Sequence, residues 1–484
     1  MGINNFALWI REQYPEILVS IKKNNIYDYI YIDINYLLHN SIYLSKNEYE
    51  FIKKLYNQLD LIFCNFIATK KVLFALDGPG SFAKILLQRK RRKIISNKIE
   101  KDKINSLWLT PGIDTMLRIE IYLENYINKI KNKYKFVSPI FTISKSTEPD
   151  EGEIKICKNI IENGNQNLNY RHLIIGNDSD LIVLSMALKP IYNINVLVRN
   201  KKGLGANEII SLEKLIKSHI VNIKINNNSI LLNSNIRDDF VVLSIMMGND
   251  YLPKLTYINY KKLWNTYFDY IRNKNESETL IKNNNYNITC CKEFLYLLYE
   301  SLSKTFKKIN ILTYNFNKSK SYLEGILWCL NMYQNGKCSK YDYIYNYKSA
   351  PHPYELFFFM CSENDSIQIP KSNMKSLSAD VYALLIMPQK ATYLINEKYK
   401  QIMENELKYL YKNEDCNECD NYKKKIESLH LILKNNKENQ DYIKYKKMYT
   451  KEFIIYKNHK KLHNEKFDIN DIYNIIEVVN KNNI

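Results

Sequence analysis

The chain has 484 residues, 45% of them hydrophobic, enough to build two or three lobes around a large core. Its 70 lysines and arginines against 51 acids leave a net charge of +19, an excess that suits an anionic partner such as nucleic acid or an anionic membrane surface. No apolar run approaches the ~18 residues needed to span a bilayer. The nine scattered cysteines, with no secretory leader in view, argue against a disulfide scaffold and for a reducing, cytosol-like compartment.

From Tyr27 to about Pro190 short apolar runs alternate with helical stretches. Tyr29-Ile30-Tyr31-Ile32 leads into Asp33, Val72-Leu73-Phe74-Ala75-Leu76 into Asp77, and His172-Leu173-Ile174-Ile175 through Gly176-Asn177 into Asp178. Such alternation predicts an α/β domain with a largely parallel sheet flanked by helices. In open α/β sheets the functional groups gather where strands end, so three strands each delivering an aspartate mark that edge. Further on, Asn-rich stretches at 222–237 and 273–287 read as surface insertions, with a buried helix over Asp238 to Pro253 between them. An apolar-rich, mostly helical lobe follows over about 294–402. From about Asn405 the Lys/Glu-laced sequence predicts a solvated helical outer layer. Cys416 and Cys419 form one C-x-x-C, but no second pair stands at zinc-finger spacing, so no zinc site is expected.

The acids at strand ends and tight turns are Asp33, Asp77, Glu151, Glu153, Asp178, Asp180 and Asp250. Clustered carboxylates repel one another unless cations sit among them. All-oxygen donor sets suit hard divalent ions, Mg2+ or Mn2+. Phosphodiester hydrolysis uses two such ions about 3.5–4 Å apart. Any single acid is better read as a helix cap or a surface group; it is the set, at strand ends, that points to a metal-dependent nuclease.

After Asp77-Gly78-Pro79-Gly80-Ser81 comes a basic helix in which Lys84, Gln88 and Arg91 share one face, with Ser81 as the expected cap. Lys, Gln and Arg beside a metal site suit a terminal phosphate. A solvated face or a nuclear-localisation run over Lys90 to Lys93 would use the same residues, but proximity to Asp77 favours the phosphate.

Here the chain resembles the XRN family of 5′→3′ exoribonucleases. Tyr31-Ile32-Asp33-Ile34-Asn35 with His39-Asn40 is similar to that family's first motif, and Asp77-Gly78, Lys84, Gln88 and Arg91-Arg92 keep its spacing. Thr110-Pro111-Gly112, Glu151-Gly152-Glu153, Asp178-Ser179-Asp180 and Gly248-Asn249-Asp250-Tyr251-Leu252-Pro253 match further motifs. The resemblance implies a PIN/flap-nuclease-like fold and two Mg2+ ions held by the seven acids. It also implies a 5′-monophosphate pocket of Lys84, Gln88, Arg91 and Arg92, and His39 stacking on a base. The implied substrate is single-stranded RNA with a 5′-monophosphate, degraded processively, with cytoplasmic mRNA decay as the family default and the nucleus as the other compartment.

The second lobe matches less densely. Glu324 to Trp328 and Tyr341 through Ala350-Pro351 resemble the family's second conserved region, where an aromatic faces the stacking histidine. Tyr343 is the expected stacker, with Tyr341 in reserve. The implied organisation is a nuclease core over 1–255, a helical connector over 256–320, the second conserved region over 321–404 and a charged helical segment over 405–484. Asp150 departs from the family, standing where glycine is expected before Glu-Gly-Glu. The compact form and the AT-rich residue usage point to a large DNA virus as the source. Two other functions would use the same residues. A flap endonuclease shares the metal site and basic helix, but Lys254 to Asn259 lacks the glycine of a duplex-gripping hairpin. An inactive RNA-binding scaffold would be expected to lack a metal ligand, and all seven acids are present.

Overall fold

The computed structural model describes the chain except residues 1–2, 4–5, 22, 44, 97–103, 132–138, 200–206, 223–234, 273, 275–277, 304–313, 363–366, 412–416, 436–440, 463–466 and 482–484. Seven strands make one sheet: β1 (Leu18–Val19), β2 (Asn25–Asp33), β3 (Phe66–Ala75), β4 (Ile140–Ser144), β5 (His172–Ile175), β6 (Ile194–Arg199) and β7 (Asn207–Ser211). They lie in the order β1-β7-β6-β5-β2-β3-β4. The five strands from β6 to β4 pair in parallel, and β7 and β1 add antiparallel at one edge. This is the expected α/β architecture, with helices on both faces and a mostly helical second lobe.

The alternation in β2 explains the two layers. Ile30 and Ile32 face a core shared with Val72, Phe74, Leu173 and Ile175, whereas Tyr29 and Tyr31 face the opposite core with Leu73 and Ile174. Successive side chains of a strand point to opposite faces, so an apolar strand covered by helices on both sides stays apolar at every position. Fully burying each Ile or Phe there contributes about 1.5–3 kcal/mol. Register then fixes the functional edge: Asp33 pairs with Ala75 and Ile32 with Ile175, so Asp33, Asp77 and Asp178 emerge together.

Three sequence expectations change. The 222–237 insertion falls largely outside the described residues, and Cys416 lies outside them altogether. The 273–287 stretch is not a surface insertion throughout. Ile281–Lys282 and Asn285–Tyr286 form a hairpin whose turn residues Asn283 and Asn284 both take positive φ, as a two-residue hairpin turn demands. Ile281 and Tyr286 enter the core, and the buried Asp239 carboxylate accepts the N–H groups of Leu280 and Ile281, each at 2.9 Å.

The third change concerns the C-terminal layer, which is only partly solvated. Asn417–Asn435 and Tyr442–Leu462 do form an outer pair, bridged by Lys425 and Glu452 at 2.7 Å. The Ile469–Lys481 helix, however, buries Ile472, Ile475 and Val479 in the main core. Its charge obscured an apolar stripe at helical spacing.

Candidate active site

Asp33 ends β2 and caps the Ile34–Ile42 helix, its Oδ1 accepting the Tyr36 N–H at 3.4 Å. Two residues on, Asn35 holds Asp77 from both sides. Asn35 Nδ2 donates to Asp77 Oδ2 at 2.6 Å, and its Oδ1 accepts the Asp77 N–H at 3.1 Å. Asp77 Oδ1 in turn accepts the Gly152 N–H at 2.8 Å, at the start of the Gly152–Gly164 helix. Glu151 precedes that helix and Glu153 lies in its first turn. Asp178 Oδ1 accepts the Asp180 N–H at 3.2 Å, while Asp180 Oδ1 takes the backbone N–H of Ile3 at 2.7 Å. Asp250 reaches the group from the loop after the buried Ile236–Met246 helix.

The acids differ in what balances their charge. Lys84 Nζ lies between Glu151 at 2.5 Å and Asp250 at 2.7 Å, and Arg91 Nη2 meets Asp250 at 2.9 Å. Burial alone would raise the Asp250 carboxyl, but the two cations outweigh it and hold it down at about 2. Burial likewise disfavours the Lys84 ammonium, yet its two carboxylate partners keep it charged far up the pH scale. Glu151 is still pushed up, because burial and the charge of Asp77 outweigh its pairing with Lys84.

Asp33, Glu153 and Asp180 are in a different position. Burial, then the charges of Asp77 and Asp178, push Asp33 up to about 8. Burial and Asp178 push Asp180 up to about 8, and burial with Asp178, Asp180 and Asp33 drives Glu153 well upward. Like charges held close in a poorly solvated edge cannot all ionise.

The basic helix spans Phe82–Ser96 and is buried along one side, Lys84 and Arg92 both at 8% exposure. Arg92 donates to Gln88 and, through Nε, to Thr110 Oγ1 at 3.0 Å. Thr110 belongs to the Thr-Pro-Gly turn. Gly112 in that turn has φ +86°, and a Cβ there would lie 2.1 Å from the Ala379 carbonyl oxygen, so only glycine lets the second lobe approach so closely. A cavity of about 300 Å3 opens at this helix. Its wall brings together His39, Gln88, Arg91 and Arg92 with Asp77 and Glu151, and Tyr382 adds an aromatic side. His39 is exposed at the surface, and the desolvation it meets holds its imidazole below the usual range.

Some expected placements do not occur. Ser81 does not cap the helix through its side chain: its carbonyl accepts the Lys84 and Ile85 N–H groups, while Oγ is buried with no hydrogen-bond partner. Tyr343, the expected stacker, lies in the core. It is 5% exposed, stacks on Trp328 at 4.7 Å between ring centroids, and donates its hydroxyl to the Ser321 carbonyl at 2.8 Å. Tyr341 is also buried and donates to Asp150 Oδ1 at 2.9 Å. An aromatic ring at this point of the sequence satisfies core packing as readily as base stacking, and packing has claimed both. Conversely, Asn35 and Tyr251 sit within recognised motifs yet had no role assigned. Tyr251 donates its hydroxyl to Glu151 Oε2 at 2.7 Å.

The donor set suits a hard divalent cation in kind: carboxylate oxygens whose mutual repulsion raises their proton affinity. It is not a closed coordination sphere, since among the described residues no group of three or more His, Cys, Asp or Glu is arranged to hold a metal ion. Asp33, Glu153, Asp178 and Asp180 are the acids a cation would draw together. No helix among the described residues is long and apolar enough to cross a membrane.

A family profile described as XRN 5'-3' exonuclease N-terminus matches residues 1–200. The yeast 5'-3' exoribonuclease 1 (Saccharomyces cerevisiae) is 29% identical over 304 residues, 54% of this chain but 20% of that protein. Its human counterpart is 25% identical over 304 residues, covering 54% and 18%. The Drosophila melanogaster 5'-3' exoribonuclease 2 homolog is 25% identical over 247 residues, covering 39% and 27%. The match thus spans about a fifth to a quarter of these relatives' length. Among solved structures, the catalytic core of Rad2 in complex with DNA substrate aligns at 11% identity and a TM-score of 0.35, covering 83% of this chain and 98% of that one. A likeness at that score says nothing about activity. The 200 residues similar to the XRN 5'-3' exonuclease N-terminus contain β1 to β6, the basic helix and every acid of the site but Asp250.

Proposed function

We propose that the protein is a 5′→3′ exoribonuclease that hydrolyses single-stranded RNA from a 5′-monophosphate end with Mg2+. The observation that carries the reading is the cavity in which Gln88, Arg91, Arg92 and His39 share a wall with Asp77 and Glu151. A pocket of two guanidiniums and an amide fits a terminal phosphate. Its volume of about 300 Å3 would suit a monophosphate better than the longer phosphate chain of a triphosphate or cap. Placed there, the 5′ phosphate sets the next phosphodiester over the carboxylates.

The seven acids would hold divalent ions, which when bound would supply an activated water and stabilise charge on the leaving oxygen. The chain's own residues do the rest. Asn35 orients Asp77, and Tyr251 orients Glu151. Lys84 neutralises Glu151 and Asp250, and Thr110 holds the Arg92 guanidinium toward the pocket. His39, exposed on the same wall, would offer its ring to the first base, and stacking of this kind is indifferent to sequence. That indifference suits processive movement along RNA. Tyr343 and Tyr341 are both buried in the core, which argues against either as the second stacking partner.

The test compares 5′-monophosphate RNA, 5′-hydroxyl RNA and a DNA flap, each in Mg2+ and in EDTA. Mononucleotide release from the 5′-phosphate RNA alone, abolished by EDTA, is expected. Equal degradation of the first two RNAs would remove the phosphate pocket from the proposal, and preferential flap cleavage would replace it with a structure-specific DNA nuclease.

A further inference from the structure

Asp150 precedes Glu151 and has φ +75°, a left-handed conformation that few residues other than glycine, asparagine and aspartate adopt. Its main chain joins the two loops that carry the proposed ligands Asp77 and Glu151. The Gly78 N–H donates to the Asp150 carbonyl at 2.9 Å, and the Asp150 N–H donates to the Pro79 carbonyl at 3.0 Å. The loops are in close contact, for a Cβ at Gly78 would lie 1.7 Å from the Glu148 carbonyl oxygen. They therefore shift together or not at all.

The second lobe grips this joint at three points. The Tyr341 hydroxyl donates to Asp150 Oδ1 at 2.9 Å, the Tyr341 carbonyl accepts the Phe82 N–H at 2.7 Å, and Ser376 Oγ donates to the Pro79 carbonyl at 3.1 Å. The first of these is the one that a side chain on each partner creates, and glycine at 150 could not make it. Asp150 keeps the left-handed turn that glycine would supply and adds a carboxylate facing the other lobe.

We infer that Tyr341 is a positioning residue. Through the hydroxyl–carboxylate contact with Asp150 it holds the 77–82 loop and the 148–151 turn in the relation that aims the Asp77 and Glu151 carboxylates at one point. The inference rests on the proposed reading of those two acids as metal ligands, but the clamp itself is testable without any metal.

Three variants of the full chain separate the possibilities. Tyr341→Phe removes the hydroxyl and keeps the ring. Asp150→Gly relaxes the backbone but deletes the acceptor. Asp150→Asn keeps an acceptor oxygen and tolerates positive φ. Amide hydrogen exchange without metal or substrate should rise at least ten-fold in peptides covering 77–82 and 148–153 for Tyr341→Phe and Asp150→Gly. Exchange in β2, β3 and β5 should stay unchanged, and Asp150→Asn should match the wild type. Mn2+ titration followed by electron paramagnetic resonance should show binding weakened about ten-fold in the first two variants and preserved in the third. Unchanged local exchange in Tyr341→Phe, or wild-type behaviour of Asp150→Gly, overturns the inference. So does faster exchange across the whole sheet, which would make Tyr341 a stability residue. A wild-type chain that binds no Mn2+ and releases no nucleotide would instead sink the ligand reading, leaving the exchange comparison to decide the clamp alone.

Discussion

Glu151 and Asp250 on one side, and Asp33, Glu153 and Asp180 on the other, are all acids of one sheet edge, yet their charge is handled in opposite ways. Lys84 and Arg91 lie within 2.9 Å of the first pair, so those carboxylates already sit in an ion network. No described lysine or arginine forms an ion pair with any of the other three, and burial plus mutual repulsion pushes Asp33 and Asp180 up to about 8. The paired acids anchor the basic helix beside the site. The repelling acids take up protons instead, which an incoming divalent ion would have to displace, so its binding there would release protons.

Removing a member of the repelling set, or the Asp178 charge that acts on all three, gives the largest expected effect. Asp178→Asn or Glu153→Gln should lower single-turnover release of nucleotide by several orders of magnitude. RNA affinity, measured by filter binding, should hold, because phosphate contacts come from basic groups elsewhere. Activity above a few per cent of wild type in either variant would mean that the two sets do not differ as described.

Breaking the ion network tests the other side. Lys84→Met leaves Glu151 and Asp250 buried without their shared cation, a type of change that costs about 3–5 kcal/mol. Urea denaturation in metal-free buffer should show that loss. An unchanged midpoint would mean that Arg91 and Tyr251 suffice to hold the pair.

Arg92→Ala probes the proposed phosphate pocket beside this network. A charge-assisted hydrogen bond is worth about 1.5–3 kcal/mol, so the preference in kcat/KM for 5′-phosphate over 5′-hydroxyl RNA should fall by about 10- to 150-fold. The same loss on both substrates would place Arg92 in folding rather than recognition.

A buried group whose shift comes from burial alone, with no neighbouring charge, is the natural control. Burial lowers His219 to about 3, far below the ~6.5 of an exposed histidine. Its neutral form is the one the fold accepts, so its contribution is complete above pH 6.5 and is lost as pH falls toward 3. Between pH 7 and pH 5 that amounts to about 2 kcal/mol. His219→Phe should flatten the pH dependence of unfolding over this interval relative to wild type; parallel curves would assign the acid sensitivity to the carboxylates.

The smallest effect is expected at Tyr343. Tyr343→Phe gives up only the hydrogen bond to the Ser321 carbonyl, about 0.5–1.5 kcal/mol in urea denaturation. Degradation of a 5′-phosphorylated RNA with a downstream hairpin should proceed at the wild-type rate. Stalling at the hairpin would return Tyr343 to the substrate path.

What the sequence determined by itself was local. Short continuous apolar runs ending in acids specify parallel strands that deliver carboxylates to one edge, because burial on both faces and the parallel-sheet rule are legible from neighbours in the chain. The basic helix was legible for the same reason: Lys84, Gln88 and Arg91 recur at helical spacing. Long-range choices were not legible. That Lys84 pairs with Glu151 and Asp250, that Thr110 holds Arg92, and that Tyr251 reaches Glu151 all depend on side chains far apart in sequence. The tyrosines show why. A tyrosine's apolar ring and polar hydroxyl suit a core, an interface or a nucleobase equally. Only the packed structure, with Trp328 against Tyr343 and Asp150 at the hydroxyl of Tyr341, decides which surface each one meets.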